Sequence, residues 1–174
     1  MPEQPRRTTR PRRPATEQEA AALASAVRLR IIRLTFSRPL TNAEIAQRLG
    51  KDPATTLHHV RKLVDAGFLE ALPVRRGTRG AREIPYRSTG LSWRLDHVAE
   101  KDMIAGAMLE AFLGEVADAG FSALRQTRLV LQVDEPQLAE FTDRLESLLE
   151  EFAARPAVSD GGRTAVYVAL YPST

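Results

Sequence analysis

Apolar residues recur every three or four positions in several stretches of the chain, which is the spacing of one face of an α-helix. The first stretch carries Leu23, Val27, Ile31 and Leu34 on one stripe. It follows the segment Thr16–Glu19, a capping box in which each end satisfies the free amide of the other. The pattern predicts a helix from Thr16 to about Leu34, and a break into two helices near Ser25 stays open as an alternative.

Two shorter helices follow, joined by a glycine. Thr41–Glu44 is a second capping box, and apolar residues continue at core spacing as far as Leu49. Gly50 allows a left-handed turn at little steric cost. Asp52 and Pro53 then begin another helix, which is expected to run to about Ala66 because Gly67 follows. Two short helices joined in this way are typical of a helix-turn-helix.

The second of these helices has two chemically different faces. At about 100° per residue, its core side is predicted to carry Leu57, Val60 and Val64. The opposite side is predicted to carry Thr55, His58, His59 and Lys62. Hydroxyl and imidazole groups can contact base edges in a major groove, and a lysine can neutralise a phosphate. This face indicates DNA binding.

An arginine-rich hairpin comes next. Residues 68–74 form a predicted strand and residues 84–87 the returning strand, with a glycine-containing turn between them. The turn holds Arg75, Arg76, Arg79 and Arg82. A cationic hairpin beside a recognition helix is well placed to contact the minor groove or the phosphate backbone.

The remaining chain predicts one long helix and a small strand-helix-strand module. The long helix runs from about Leu95 to Ala119 and is apolar over a width that needs a cover. We expect a second subunit there, and packing within the same chain stays open as the alternative. The module comprises strands at residues 128–133 and 164–171 around a helix at residues 134–152. Two strands alone make a marginal sheet, so they must pack on a helix or on another subunit.

Charge is unevenly distributed along the 174 residues. The formal charge is +4 over residues 1–14, +7 over residues 15–95 and −8 over residues 96–174. The basic front indicates contact with a polyanion. Residues 1–15 are rich in proline and arginine and are expected to be disordered, either as an arm that contacts DNA or as a solvated tail. No apolar run is long enough for a membrane span, so a cytoplasmic location is expected.

The chemistry of an enzyme or a cofactor site is missing. The chain has no cysteine, no glycine-rich phosphate loop and no nucleophile elbow. His97, with Asp96 beside it and Glu100 three residues later, has the residue types of a metal site between subunits. Such runs are far more often plain helix surface, so neither catalysis nor a metal is expected.

Residues from about Leu23 to Tyr86 resemble the winged helix-turn-helix of the ArsR-type bacterial transcriptional regulators. The segments that carry the resemblance are Ala24–Leu34, Thr41–Gly50 and His59–Leu69. The resemblance implies base or sugar-phosphate contacts by Thr55, Thr56, His58 and His59. It also implies backbone or minor-groove contacts by Lys62, Arg79 and Arg82, and a dimer formed by terminal helices. The metal-sensing members often carry a cysteine pair that this chain lacks, which favours a small organic effector, or none.

The expected protein is α+β and mainly α, with a disordered tail (1–15), a winged helix-turn-helix domain (16–90) and a dimerisation and effector module (91–174). Its expected function is sequence-specific binding of double-stranded DNA as a homodimer, more as a repressor than as an activator. Two alternatives stay open. One is a non-specific, nucleoid-associated DNA-binding protein, and the other is a winged helix that binds another protein.

Overall fold

The computed structural model describes residues 12–77, 80–96, 101–156 and 162–172. The chain divides into two compact units, and the first of them spans Arg10–Ala123. The second contains Leu124–Thr174. The long helix, which the sequence analysis grouped with residues 91–174, lies in the first of these units.

The described part of the first unit contains five α-helices. They are α1 (Glu17–Leu23), α2 (Ala26–Leu34), α3 (Asn42–Leu49), α4 (Pro53–Asp65) and α5 (Lys101–Ala119). The break near Ser25 is present, so α1 and α2 are separate helices. Both predicted capping boxes form, at the starts of α1 and α3. Gly50 ends α3 in the left-handed region with φ 60°, and the Asp52 carboxylate caps α4.

Short strands complete the first unit. They are β1 (Arg13–Pro14), β2 (Leu40–Thr41), β3 (Leu69–Ala71), β4 (Arg75–Arg76), β5 (Arg82–Glu83), β6 (Pro85–Ser88) and β7 (Leu95–Asp96). One antiparallel sheet has the order β2-β6-β3, and β4 pairs antiparallel with β5 as the outer part of the wing. A 3₁₀ turn (Leu91–Arg94) connects β6 to β7. The mainly helical winged helix-turn-helix predicted from the sequence is confirmed.

One hydrophobic core holds these elements together. The fully buried side chains include Leu23, Ile31, Leu40, Ile45, Val60, Leu63, Phe68 and Ile104. They come from all five helices and from the segments beside them, and α5 packs chiefly on α2. Two ion pairs, Arg30 with Asp118 and Arg33 with Glu115, join α2 to the end of α5. The long helix thus forms part of the scaffold behind the helix-turn-helix.

The N-terminal tail is shorter than predicted. Arg13 and Pro14 pair in parallel with Leu95 and Asp96, so the predicted disorder is wrong for residues 12–15, while residues 1–11 lie outside the described part. Arg13 also holds Glu19 with two hydrogen bonds, of 2.8 and 2.5 Å. The same pairing places residues 95–96 in a strand, whereas a helix was predicted to begin there.

The carboxylate of Glu19 makes stability depend on acid pH. Its hydrogen bonds from Arg13 are the largest cause that lowers its pKa from 4.5 to about 2, and the amide and hydroxyl of Thr16 lower it further. A lowered folded-state pKa stabilises the fold above the unfolded pKa, and this contribution is lost as the pH falls from about 4.5 to about 2. We expect Glu19→Gln to cost about 1–3 kcal/mol at pH 7. Thermal unfolding should show this deficit shrinking below pH 4.5, whereas a constant deficit would contradict the assignment.

The second unit is simpler than predicted. Helix α6 (Glu135–Ala153) forms and begins with a capping box of Asp134 and Gln137. The strands predicted at 128–133 and 164–171 are absent from residues 124–156 and 162–172, which is a correction to the strand-helix-strand module. A strand needs a hydrogen-bonded neighbour. Leu129 and Val130 stay 70% and 74% exposed, and no described side chain of this unit is fully buried.

Candidate nucleic-acid interface

Helices α3 and α4 are joined at their N-terminal ends. The Asn42 side-chain amide, at the start of α3, donates to the carbonyl of Pro53, at the start of α4, over 2.8 Å. The Asp52 carboxylate accepts from the amides of Ala54 and Thr55. The orientation of α4 is thus set by polar contacts as well as by its buried face. This role of Asn42 was not predicted from the sequence.

The buried face of α4 differs from the predicted one. Thr56, Val60 and Leu63 are completely buried, whereas Leu57 and Val64 are only partly buried. At about 100° per residue, the core side is rotated by roughly 60–70° from the predicted stripe. Thr56 tolerates burial because its hydroxyl donates to the carbonyl of Asp52 over 2.9 Å.

The outward face of α4 shifts by the same rotation. Its exposed side chains are Ala54, Thr55, His58, Arg61, Lys62 and Asp65. Thr55, His58 and Lys62 were predicted, and the structure places them together. Thr56 is buried and cannot contact a ligand, so its assignment as a contact is wrong. Arg61 was missed, because the predicted core stripe placed it to one side.

His59 lies at the edge of the exposed face. Its ring is half-buried, and its Nδ1 is buried without a hydrogen-bond partner in the described part of the chain. Burial is the largest cause that lowers the pKa of His59, and the positive charge of Arg28 lowers it further. The neutral imidazole is therefore favoured at neutral pH. His58 lies 6.0 Å away between ring centroids and is fully on the outward side.

The wing carries two arginines that face each other across its ladder. Arg76 of β4 is directly opposite Arg82 of β5, and both are exposed. Like charges in directly opposed positions destabilise a strand pair. Neither guanidinium forms an ion pair within the part of the chain that the structure describes. The wing therefore presents a doubly positive site that an anion would neutralise. Arg79 lies outside the described residues. Arg75 forms ion pairs with Glu44 and Glu83.

The described residues show no other candidate chemistry. Among the described residues, no three or more metal-ligating side chains are grouped so that they could hold a metal ion. His97 and Glu100, which the sequence offered as possible ligands, lie outside the described residues. No described helix has both the length and the apolar character that crossing a bilayer requires.

Comparison with known proteins supports the fold of the central segment. Residues 23–70, from the end of α1 to β3, match a protein-family model described as a helix-turn-helix domain. No curated protein matches the chain.

Solved structures with a similar arrangement include three bacterial proteins. The homodimeric winged helix-turn-helix DNA-binding domain of a possible ArsR-family regulator from Mycobacterium bovis is 25% identical, with 64% of this chain and 85% of that chain covered and a TM-score of 0.35. Reduced HlyU from Vibrio cholerae is 18% identical, with 55% and 84% covered and a TM-score of 0.34. The multiple antibiotic-resistance repressor from Listeria monocytogenes is 18% identical, with 78% and 82% covered and a TM-score of 0.34.

Proposed function

We propose that the protein is a sequence-specific regulator of transcription that binds double-stranded DNA. The observation that carries the proposal is the outward face of α4, on which Thr55, His58, Arg61 and Lys62 are exposed together. From Ala54 to Lys62 this face has no acidic side chain, and it begins at the N-terminal end of a helix, where the helix dipole favours an anion. In the second helix of a helix-turn-helix, such a face enters the major groove.

Within this proposal the exposed residues of α4 have two tasks. Thr55 and His58 contact base edges, because hydroxyl and imidazole groups offer directed hydrogen bonds. Arg61 and Lys62 contact phosphates, which position the protein without reading sequence. Arg76 and Arg82 contact the backbone or the minor groove beside the site, and Arg79 stays a prediction. His59, half-buried and at the edge of the face, has at most a secondary part.

The proposed functional state is a homodimer formed through α5. This helix packs on α2 with one side and leaves Leu109 and Leu113 of the other side 46% and 52% exposed. A helix that is apolar all round is normally buried on all sides. A second α5 would cover the exposed side and give the two-fold symmetry with which winged helices bind paired half-sites. The regulator then acts as a repressor by occluding polymerase, and a small organic effector stays a prediction.

Selection of preferred sequences from random duplexes by the wild-type protein is the direct test. We expect one enriched, two-fold symmetric sequence, bound in the presence of excess competitor duplex. Binding that is equally strong to every duplex and collapses with salt would favour the nucleoid-associated alternative. No binding to any duplex would favour the winged helix as a protein-binding module, and the proposal would be wrong.

Arg61 provides a quantitative check, because its side chain is exposed on α4 although the sequence pattern did not predict it as a contact. Arg61→Gln should weaken binding to all duplexes similarly and reduce the slope of log Kd against log salt by about one. Arg144→Gln is the matched control, since it removes the same charge from an exposed site on α6. Salt titrations of both variants decide the matter, and an unchanged slope for Arg61→Gln would show that Arg61 does not contact a phosphate.

A further inference from the structure

Arg75 is the one described arginine of the wing that lies between two carboxylates. Its Nε donates to Oε2 of Glu83, its partner directly across the β4–β5 ladder, over 3.3 Å. Its Nη2 lies 3.5 Å from Oε2 of Glu44, at the N-terminal turn of α3. A single guanidinium therefore joins both outer wing strands to the helix-turn-helix.

Glu44 is a fixed anchor for this connection. Its Oε2 accepts a hydrogen bond of 2.7 Å from the amide of Thr41, as half of the capping box of α3. That hydrogen bond is the largest cause that lowers the pKa of Glu44, and the charges of Arg75 and Arg48 lower it further. The carboxylate is therefore ionised and held in place at neutral pH.

The side chain of Glu83 lies directly against Gly77. A Cβ on residue 77 would lie 2.2 Å from Cδ and Oε1 of Glu83, which is closer than non-bonded atoms approach. A larger residue at position 77 would therefore displace the end of the Glu83 side chain. The amide of Gly77 donates to the carbonyl of Ala81 over 2.7 Å, which makes it a local reporter of wing order.

The pairing of β2 with β6 holds the base of the wing beside the start of α3. Farther out, an open groove of about 530 Å³ lies between α3 and the outer strands β4 and β5, and its lining includes Thr41, Ala43 and Gln47 on one side and Arg76 and Gly77 on the other. The pair of Arg75 with Glu44 lies across this groove. Among the described residues, the position of the outer strands relative to α3 therefore depends on a charge contact.

We propose that Arg75 is a positioning residue, which fixes the wing so that Arg76 and Arg82 meet the same duplex as α4. This inference rests on the proposed function and assigns Arg75 a part different from the DNA contact expected from the sequence. Its charge is already balanced by two carboxylates, so a phosphate gains less from it than from Arg76, which has no such partner among the described residues.

The test compares Arg75→Gln with Arg76→Gln, which removes the same charge from the adjacent residue. In the DNA-free protein, Arg75→Gln should speed hydrogen exchange at the Gly77 amide about three- to tenfold, whereas Arg76→Gln should not. In DNA titrations, Arg76→Gln should lower the salt slope by about one, whereas Arg75→Gln should leave the slope unchanged and reduce affinity for the selected sequence.

Two further variants separate positioning from a general loss of order. In a Glu44→Gln background, in which Gln can still complete the capping box of α3, the effect of Arg75→Gln on affinity should largely disappear, because the contact between the wing and α3 is already broken. Arg75→Lys keeps a cation between the carboxylates and should recover most of the specific affinity and of the Gly77 protection.

The outcomes distinguish the two proposals. A salt slope lowered by about one in Arg75→Gln, with unchanged exchange at Gly77, would make Arg75 a phosphate contact and overturn the inference. A wild-type protein that binds no duplex would overturn the proposed function instead. Exchange at Gly77 would then decide by itself whether Arg75 holds the wing.

Discussion

The Thr55→Ala/His58→Ala variant is expected to enrich no preferred sequence from random duplexes. Both side chains are exposed on the outward face of α4, where base edges would be met. Each specific base contact contributes about 1–3 kcal/mol of discrimination, so losing two removes roughly a hundredfold or more of the specificity ratio. Non-specific affinity and the melting temperature should change little, since neither side chain belongs to the core.

His59→Ala is the comparison variant for this experiment. Its ring is half-buried, so its removal should lower stability more than it lowers selectivity. If His59→Ala lost selection while Thr55→Ala/His58→Ala kept it, the base contacts would lie at the His59 edge of α4 and the assignment of Thr55 and His58 would be wrong. Normal selection by all of these variants would refute the assignment of α4 as the recognition helix.

Leu109→Glu/Leu113→Glu is expected to give a monomer with severely weakened DNA binding. Each leucine buried in an interface contributes about 1.5–3 kcal/mol, and a buried unpaired carboxylate adds a larger penalty. Both positions are half-exposed in the single chain, so the substitutions should not disturb the fold. A monomer contacts only one half-site, and affinity for a two-fold site should fall by more than a hundredfold.

Sedimentation and DNA titration at equal protein concentration measure both effects. Leu109→Met/Leu113→Met is the matched control, because it keeps apolar side chains of similar volume and should stay dimeric. A wild-type protein that sediments as a monomer would overturn the α5 interface. A dimer that persists in the glutamate variant would show that another surface joins the subunits.

The local parts of this fold could be predicted from the sequence because local chemistry determines them. The capping boxes at Thr16 and Thr41 satisfy amides three residues away, and Gly50 relieves strain at its own position. The helix-turn-helix and the wing follow from such signals.

The rotation of α4 could not be predicted in this way. Apolarity assigned Leu57 to the core, whereas Thr56 occupies it by bonding its hydroxyl to the backbone of its own helix. As a result, Thr56 is buried although it was predicted to contact DNA, and Arg61 lies on the exposed face of α4. The place of α5 beside α2 and the pairing of Arg13 with Leu95 are long-range contacts, which no local pattern records. The apolar run at residues 129–131 has a composition suited to a strand, but a neighbouring strand is also required.

We expect the opposed arginines of the wing to make DNA affinity depend on the anions in the buffer. Arg76 and Arg82 repel each other in the free chain, so they attract small anions from the buffer. A duplex that binds there must displace these anions from the protein, while the protein displaces cations from the duplex. Affinity would then depend on which anion the buffer contains as well as on ionic strength, and sulfate or phosphate would compete more strongly than a bulky monovalent carboxylate.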